Sequence, residues 1–161
     1  MSHQLIATYL KDHLAGSEGA LELLQHLKND QPASSVSHFA NELRAAIQAA
    51  RLELEALMAK LQIAQSRPKK MAAWIAEKMT ELKLRLDDTA DGPLRRLEIL
   101  EAISIGIAGQ RLLWQALAAV AQEDAALQGV DYQSLDQRAE EQRRNLETYR
   151  LEAAKIALKS E

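Results

Sequence analysis

The chain has 161 residues, enough for one domain with a hydrophobic core that needs no disulfide or structural metal. Its 20 basic and 23 acidic side chains give a formal net charge of −3, so it lacks the basic excess of a nucleic-acid-binding surface. The absence of cysteine excludes disulfides, thiolate metal ligands and cysteine nucleophiles, and it fits a reducing compartment such as the cytoplasm.

Helical periodicity runs through nearly the whole sequence, and glycine, proline and β-branched residues are scarce. We predict a first helix over about residues 3 to 29, which ends in the polar stretch before Pro32. A second helix extends to about residue 66, with a serine at position 34, 35 or 37 as its N-cap. A shorter amphipathic helix follows over about residues 68 to 86. The first half of the chain is therefore predicted to contain three helices, separated by breaks before Pro32 and at Arg67-Pro68.

The second half begins with the clearest loop, which runs from Asp87 to Pro93. A third long helix is predicted over about residues 93 to 122, and a fourth over about residues 132 to 159 after a turn at Gly129. Long helices with short connections favour antiparallel neighbours. No signal peptide is recognised, and no run of apolar residues is long and uncharged enough to suggest a membrane span. We expect one all-α domain over residues 1–161.

The third long helix is apolar almost all round, which predicts that it is the most buried element. We expect two carboxylates, Glu98 and Glu101, to share its inward face. The other members of that face are apolar: Leu94, Leu97, Ile105, Ala108 and Leu112. The opposite face, with Ile99, Ile103, Ile107 and Trp114, could cover the short helix or another subunit.

Polar residues are also predicted on the inward faces of the first and last helices. His13 lies near the middle of the first helix, where Gly16, Ser17 and Ala20 leave space beside it. In the last helix the inward stripe includes Gln142 and Tyr149, and Arg138 flanks it.

Three segments resemble a group of uncharacterised bacterial proteins of the ferritin-like superfamily. They are YLKDHLAGSEGALELLQHL (9 to 27), GPLRRLEILEAISIGIAGQRLLWQAL (92 to 117) and RAEEQRRNLETYRLEAA (138 to 154). The resemblance implies a ferritin-like antiparallel four-helix bundle with an additional short helix between the second and third long helices. Iron-binding members use two Glu-x-x-His motifs, and this sequence has none, so we do not expect a complete di-iron centre.

Three interpretations of the inward polar residues remain open. They can form a buried polar network that includes Ser17, Arg138, Gln142 and Tyr149, because buried polar groups must be paired. A second interpretation is one metal ion held by His13, Glu98 and Glu101. A third is a small-ligand pocket in the space beside His13.

The function that we expect from the sequence is that of a non-catalytic structural or interaction protein. It would act without a cofactor in the cytoplasm and self-associate through an apolar helix face, with neither nucleic acid nor membrane as its partner. The alternative is a metal-binding protein or metal-dependent oxidoreductase with one iron, manganese or zinc ion in the bundle core.

Overall fold

The computed structural model describes residues 2–65, residue 77 and residues 92–159. This part of the chain is all-α and contains no strand. Its elements are α1 (Ser2–Asp30), α2 (Ser35–Lys60), α3 (Gly92–Val120), a 3₁₀ turn (Ala125–Leu127) and α4 (Tyr132–Ala157). The four long helices predicted from the sequence are present. The short helix predicted over residues 68 to 86 lies outside the described residues, apart from residue 77.

The turn between α1 and α2 is held by two serines. The Ser34 hydroxyl accepts a hydrogen bond from the backbone N–H of Ser37 at 3.0 Å, so Ser34 is the N-cap among the three serines proposed. The buried Ser37 hydroxyl donates to the carbonyl oxygen of Lys28 at 2.8 Å. These bonds satisfy backbone groups at the end of α1 and the start of α2.

α2 ends at Lys60, about six residues before the predicted end. Gln62 follows this end in the left-handed conformation, with a φ of 57°. The Ile63 N–H donates to the Met58 carbonyl at 2.9 Å, and the Gln62 N–H donates to the Ala59 carbonyl at 3.0 Å. This is the Schellman pattern of helix termination. The prediction missed it because glutamine occupies the left-handed position where glycine is the usual signal.

Hydrogen bonds between the helix ends define the direction of each helix. His3 at the start of α1 lies 3.0 Å from the Leu61 carbonyl, and Arg96 at the start of α3 donates to Asp30 at 2.6 Å. Lys60 donates to the Gln128 carbonyl, which follows α3, at 2.7 Å. α1 and α4 therefore run in one direction, and α2 and α3 run in the other. The end of α2 and the start of α3 therefore lie at opposite ends of the bundle.

The helices form two hairpins, α1 with α2 and α3 with α4, that pack on each other mainly through α1 and α3. The buried apolar residues divide into two clusters. One contains Leu24, Leu43, Leu100, Ile103 and Leu146, and the other contains Leu10, Met58, Trp114, Leu127 and Leu135. Each cluster draws residues from all four long helices.

The rotation of α3 about its axis differs from our prediction. Of the face that we expected to be inward, Leu97 is buried, whereas Leu94, Ile105 and Leu112 are 39%, 73% and 63% exposed. The buried face is the opposite one, with Ile99, Ile103, Ile107 and Trp114, for which the prediction was contact with the short helix or with another subunit. The prediction was wrong because an all-round apolar helix carries little information about which side faces inward.

An ionic network between α3 and α4 matches the observed rotation. Arg111 donates to Asp136 at 2.7 Å and also pairs with Glu140, which in turn pairs with Arg143 and Arg144. The hydrogen bond from Arg143, together with the charges of Arg111 and Arg143, lowers the pKa of Glu140 to about 2. These contacts keep one side of α3 against α4.

α3 is also the one helix among the described residues that is long and apolar enough to cross a bilayer. Core helices of water-soluble bundles meet the same criterion, and 28% of the residues in its most apolar stretch are buried within the fold. Because Arg111 in this helix pairs with Asp136 and Glu140 of α4, its charge is compensated inside the bundle. The helix is thus an integral part of the described bundle.

Candidate functional site: a cavity between three helices

A cavity of about 240 Å³ lies between α1, α2 and α3. It occupies the junction of the two core clusters, since Ile47 and Ile107 belong to one cluster while Leu54 and Trp114 belong to the other. Its wall is mainly apolar and is completed by residues of α1, which include His13, Gly16, Ser17 and Ala20. The space predicted beside His13 is therefore present.

Glycines on two facing helices leave this space open. Gly16 of α1 and both Gly106 and Gly109 of α3 line the cavity, and a Cβ atom built on each of them meets nothing within 4 Å. A glycine inside a helix costs about 1 kcal/mol relative to alanine. Gly16 and Gly106 are exposed and Gly109 is half-buried, so the cavity opens to solvent along these glycines between α1 and α3.

Arg51 is a charged residue of the cavity wall, but its guanidinium group is already paired. It donates to Glu55 at 2.9 Å within α2 and to Glu18 of α1 at 3.0 Å. The side chain of Arg51 is 17% exposed. The pairing joins α1 to α2 beside the cavity and leaves no uncompensated arginine charge there.

His13 presents an imidazole to the cavity from α1. Burial lowers the pKa of His13 below its ordinary value of 6.5, against the opposing effect of the Asp12 carboxylate. The ring of Tyr9 packs against the imidazole edge-to-face, with 4.7 Å between the ring centroids. Burial therefore favours the neutral form of the imidazole, which contributes a polar group to the wall.

Trp114 lies in the cavity wall at the level of Leu113 on α3. Its side chain is 1% exposed, and its indole N–H has no hydrogen-bond acceptor among the described residues. Leaving a buried donor without an acceptor costs about 1–3 kcal/mol. Among the described residues that line the cavity, Trp114 is the one with a buried polar atom for which the described part of the chain supplies no hydrogen-bond partner.

The three residues predicted to bind a metal ion are not brought together. His13 lines the cavity, whereas Glu101 is exposed on the outer side of α3 and pairs with Arg150 at 3.4 Å. Glu98 is half-buried two turns before the cavity-lining part of α3. Within the described parts of the chain, no three histidine or carboxylate side chains are grouped closely enough to hold a metal ion.

The four residues predicted to form a buried polar network have separate environments. The Ser17 hydroxyl donates to the Leu14 carbonyl in its own helix at 2.6 Å. Arg138 is exposed and lies 3.4 Å from Ser134, one turn away in α4.

The remaining two predicted members lie on the inner side of α4. The ring of Tyr149 stacks on Phe39 of α2 with centroids 4.2 Å apart, and the buried amide oxygen of Gln142 accepts no hydrogen bond from any described residue. The structure therefore contains no continuous network through these four residues.

Several cavity residues were missed in the sequence, notably Arg51, Gly106, Gly109 and Trp114. The spacing of Gly106 and Gly109 was a usable signal, because small residues three apart lie on one helix face and can oppose Gly16 and Ala20. The wrong rotation assigned to α3 placed that face outside the core.

No family model, curated protein or solved structure matches this chain.

Proposed function

We propose that this protein is a non-catalytic binding protein that holds a small, mostly apolar molecule between α1, α2 and α3. The observation that carries the proposal is the volume and lining of the cavity. At about 240 Å³ it is larger than the cavity of about 150 Å³ that is known to bind benzene in an engineered protein core. An apolar wall with a few polar groups is typical of small-molecule sites.

The chemistry of the wall favours binding over catalysis. Arg51 is engaged in salt bridges, and the Ser17 hydroxyl donates to its own helix. Hydrolytic or transfer chemistry would need a nucleophile with a base within hydrogen-bond reach. The hydrogen bonds of the described wall residues include no such pair.

The binding proposal can be tested with α-methylstyrene, an apolar hydrocarbon of suitable size. We expect titration to shift the methyl NMR resonances of wall residues such as Leu54 and Leu113, with saturation. Gly109→Leu places a side chain in the cavity and should weaken binding at least tenfold. The matched control is Ala119→Leu, an exposed position of the same helix that does not line the cavity. Wild-type protein without saturable shifts would refute the proposal.

We also propose that the bundle is of the ferritin-like type and works in the cytoplasm. The supporting observation is the shared direction of α2 and α3, which places the end of α2 and the start of α3 at opposite ends of the bundle. Ferritin-like folds have this arrangement, because a single long crossover joins their two hairpins. A bundle without a metal centre can retain this topology while its interior serves another purpose. An experimentally determined structure in which residues 66–91 do not span the bundle would contradict the assignment.

Self-association is a second candidate function, favoured by the exposed apolar stripe of α3. We define this stripe as Leu94, Ile105, Ala108 and Leu112; the last three are spaced three and four apart, as in a helix–helix seam. The proposed occupant is a second copy of the chain, since a two-fold dimer brings the same stripe of both subunits together.

Light scattering tests this second proposal directly. Wild-type protein should be dimeric at micromolar concentration, and Ile105→Glu should make it monomeric. Leu151→Glu, at an exposed position of α4, should leave the dimer intact. A wild-type protein that stays monomeric at millimolar concentration would exclude self-association through the α3 stripe.

A further inference from the structure

The cavity between α1, α2 and α3 has an apolar interior and a polar rim. Part of its wall is apolar and almost fully buried, and consists of Ile47, Leu54, Ile107 and Leu113. The cavity opens to solvent between α1 and α3, where Gly16 and Gly106 are exposed. Asp12 and His13 line the cavity one turn before Gly16, on the same side of α1, and we define these two residues as the rim. Both are half-buried, so a molecule that enters the cavity can reach them.

The imidazole of His13 has a hydrogen-bonding capacity that its described contacts do not use. Those contacts are the ring of Tyr9, which packs edge-to-face, and the charge of Asp12, and neither is a hydrogen bond. A neutral imidazole carries one donor nitrogen and one acceptor nitrogen. A hydroxyl group can pair with either nitrogen, because it both donates and accepts hydrogen bonds.

The rim disfavours a ligand charge of either sign. Burial lowers the pKa of His13 more than the Asp12 carboxylate raises it, so a positive group is unfavourable beside the imidazole. A negative group at the rim would be repelled by Asp12. The charge of Arg51 does not offset this repulsion, since Arg51 already pairs with Glu18 and Glu55. The polar group of the ligand is therefore expected to be uncharged.

We infer that the cavity binds an uncharged, mostly apolar molecule with one hydroxyl group, such as a substituted phenol, and that this hydroxyl hydrogen-bonds to the imidazole of His13 at the rim. This inference rests on the proposed binding function and names the class of ligand for it. A cavity of about 150 Å³ accommodates the six carbons of benzene, so about 240 Å³ corresponds to roughly ten non-hydrogen atoms. 4-Ethylphenol is close to this size, and its apolar ring and ethyl group match the apolar wall.

The contribution of the hydroxyl group can be isolated with 4-ethyltoluene, which has a methyl group in its place. Affinities of both compounds are measured by NMR titration of wild-type protein and of His13→Phe, which keeps a ring beside Tyr9 but lacks the hydrogen-bonding nitrogens. The substitution should weaken binding of 4-ethylphenol about fivefold more than binding of 4-ethyltoluene, which corresponds to about 1 kcal/mol for one hydrogen bond. The matched control is His26→Phe, at an exposed position of the same helix outside the cavity wall, and it should change neither affinity.

Two further measurements use wild-type protein alone. Saturation with 4-ethylphenol should shift the ring-nitrogen resonances of His13 clearly more than saturation with 4-ethyltoluene does. 4-Ethylbenzoate has a similar shape but carries a carboxylate, so it should bind roughly tenfold more weakly than 4-ethylphenol.

The outcomes separate the inference from the binding function. The inference is overturned if His13→Phe weakens both compounds equally, if the two compounds shift the His13 nitrogens equally, or if 4-ethylbenzoate binds as tightly as 4-ethylphenol. Saturable binding of 4-ethyltoluene in any of these cases leaves the binding function standing. Absence of saturable binding by all three compounds overturns both proposals. If His13→Phe does not fold, the nitrogen resonances of the wild-type protein decide the question alone.

Discussion

Replacing the cavity glycines of α3 with alanine should stabilise the protein and weaken ligand binding at the same time. Gly106 and Gly109 lie inside a helix, and a Cβ atom on either one meets nothing within 4 Å. The added methyl groups cause no clash, so the gain in helix propensity is retained. At about 1 kcal/mol for each residue, the double variant should gain about 2 kcal/mol in free energy of unfolding. For a domain of this size the melting temperature should rise by roughly 4–8 °C.

Thermal and urea-induced unfolding followed by circular dichroism provide the assay. Gly129→Ala is the matched control, since Gly129 has a φ of +88° and also has open space at its Cβ. An alanine there is strained in the backbone and should reduce the free energy of unfolding by about 1–2 kcal/mol. Replacing glycine with alanine should thus raise the free energy of unfolding at Gly106 and Gly109 and lower it at Gly129.

Binding provides the second readout for the double variant. Two methyl groups in the wall reduce the cavity volume, so the affinity for α-methylstyrene should fall even though the fold is more stable. If the double variant is less stable than wild type, α3 is not packed as described around Gly106 and Gly109. If it is more stable but binds the hydrocarbon equally well, these two glycines do not limit the ligand site.

Other predictions concern the turns and the ionic network. Ala33 has a φ of 63°, a left-handed conformation that strains alanine but not glycine. Ala33→Gly should therefore raise the free energy of unfolding in urea by about 0.5 kcal/mol, and a decrease would show that this φ is not strained. Ser37→Ala should lower the free energy of unfolding by about 1 kcal/mol, because it removes the hydrogen bond to α1. Ser35→Ala, at an exposed position, should change it little, and equal effects of the two substitutions would contradict the role of Ser37. The hydrogen bond from Arg143 helps to hold the pKa of Glu140 at about 2, below its ordinary value of 4.5. The ionised Glu140 therefore stabilises the fold fully above pH 4.5, and this contribution is lost as the pH falls toward 2. Urea unfolding at several pH values should show that loss in wild type and a weaker one in Glu140→Gln; identical profiles would refute it.

The fold was largely predictable from the sequence, and the orientation of one helix was not. Periodicity and the breaks near Pro32 and Gly129 located the four long helices because these features act locally. The rotation of α3 depends on which side packs on its neighbours. That choice is decided by partners on α4, such as Asp136 for Arg111, which lie far along the chain.

Only part of the candidate site was predictable, because the rest of it depends on tertiary packing, as the rotation of α3 does. Small residues beside His13 correctly indicated space, since α1 is amphipathic and its inward face can be recognised. The other wall comes from α2 and α3 and includes Arg51 and Trp114, which become neighbours of α1 only through tertiary packing. Glu98 and Glu101 were assigned to the core by the same error in the rotation of α3.

The shared direction of α2 and α3 has a consequence for how the chain could be divided. Each hairpin is closed by its own short turn, so a cut between residues 66 and 91 removes none of the contacts described between the helices. The hairpins would then meet as two separate molecules, chiefly through α1 and α3. In the intact chain the covalent connection raises the effective concentration of each hairpin at the other, whereas the two fragments would associate only as strongly as their own dissociation constant allows. Since α1 and α3 also form two of the three cavity walls, ligand should draw the fragments together, and the molecule would behave as a ligand-dependent heterodimer.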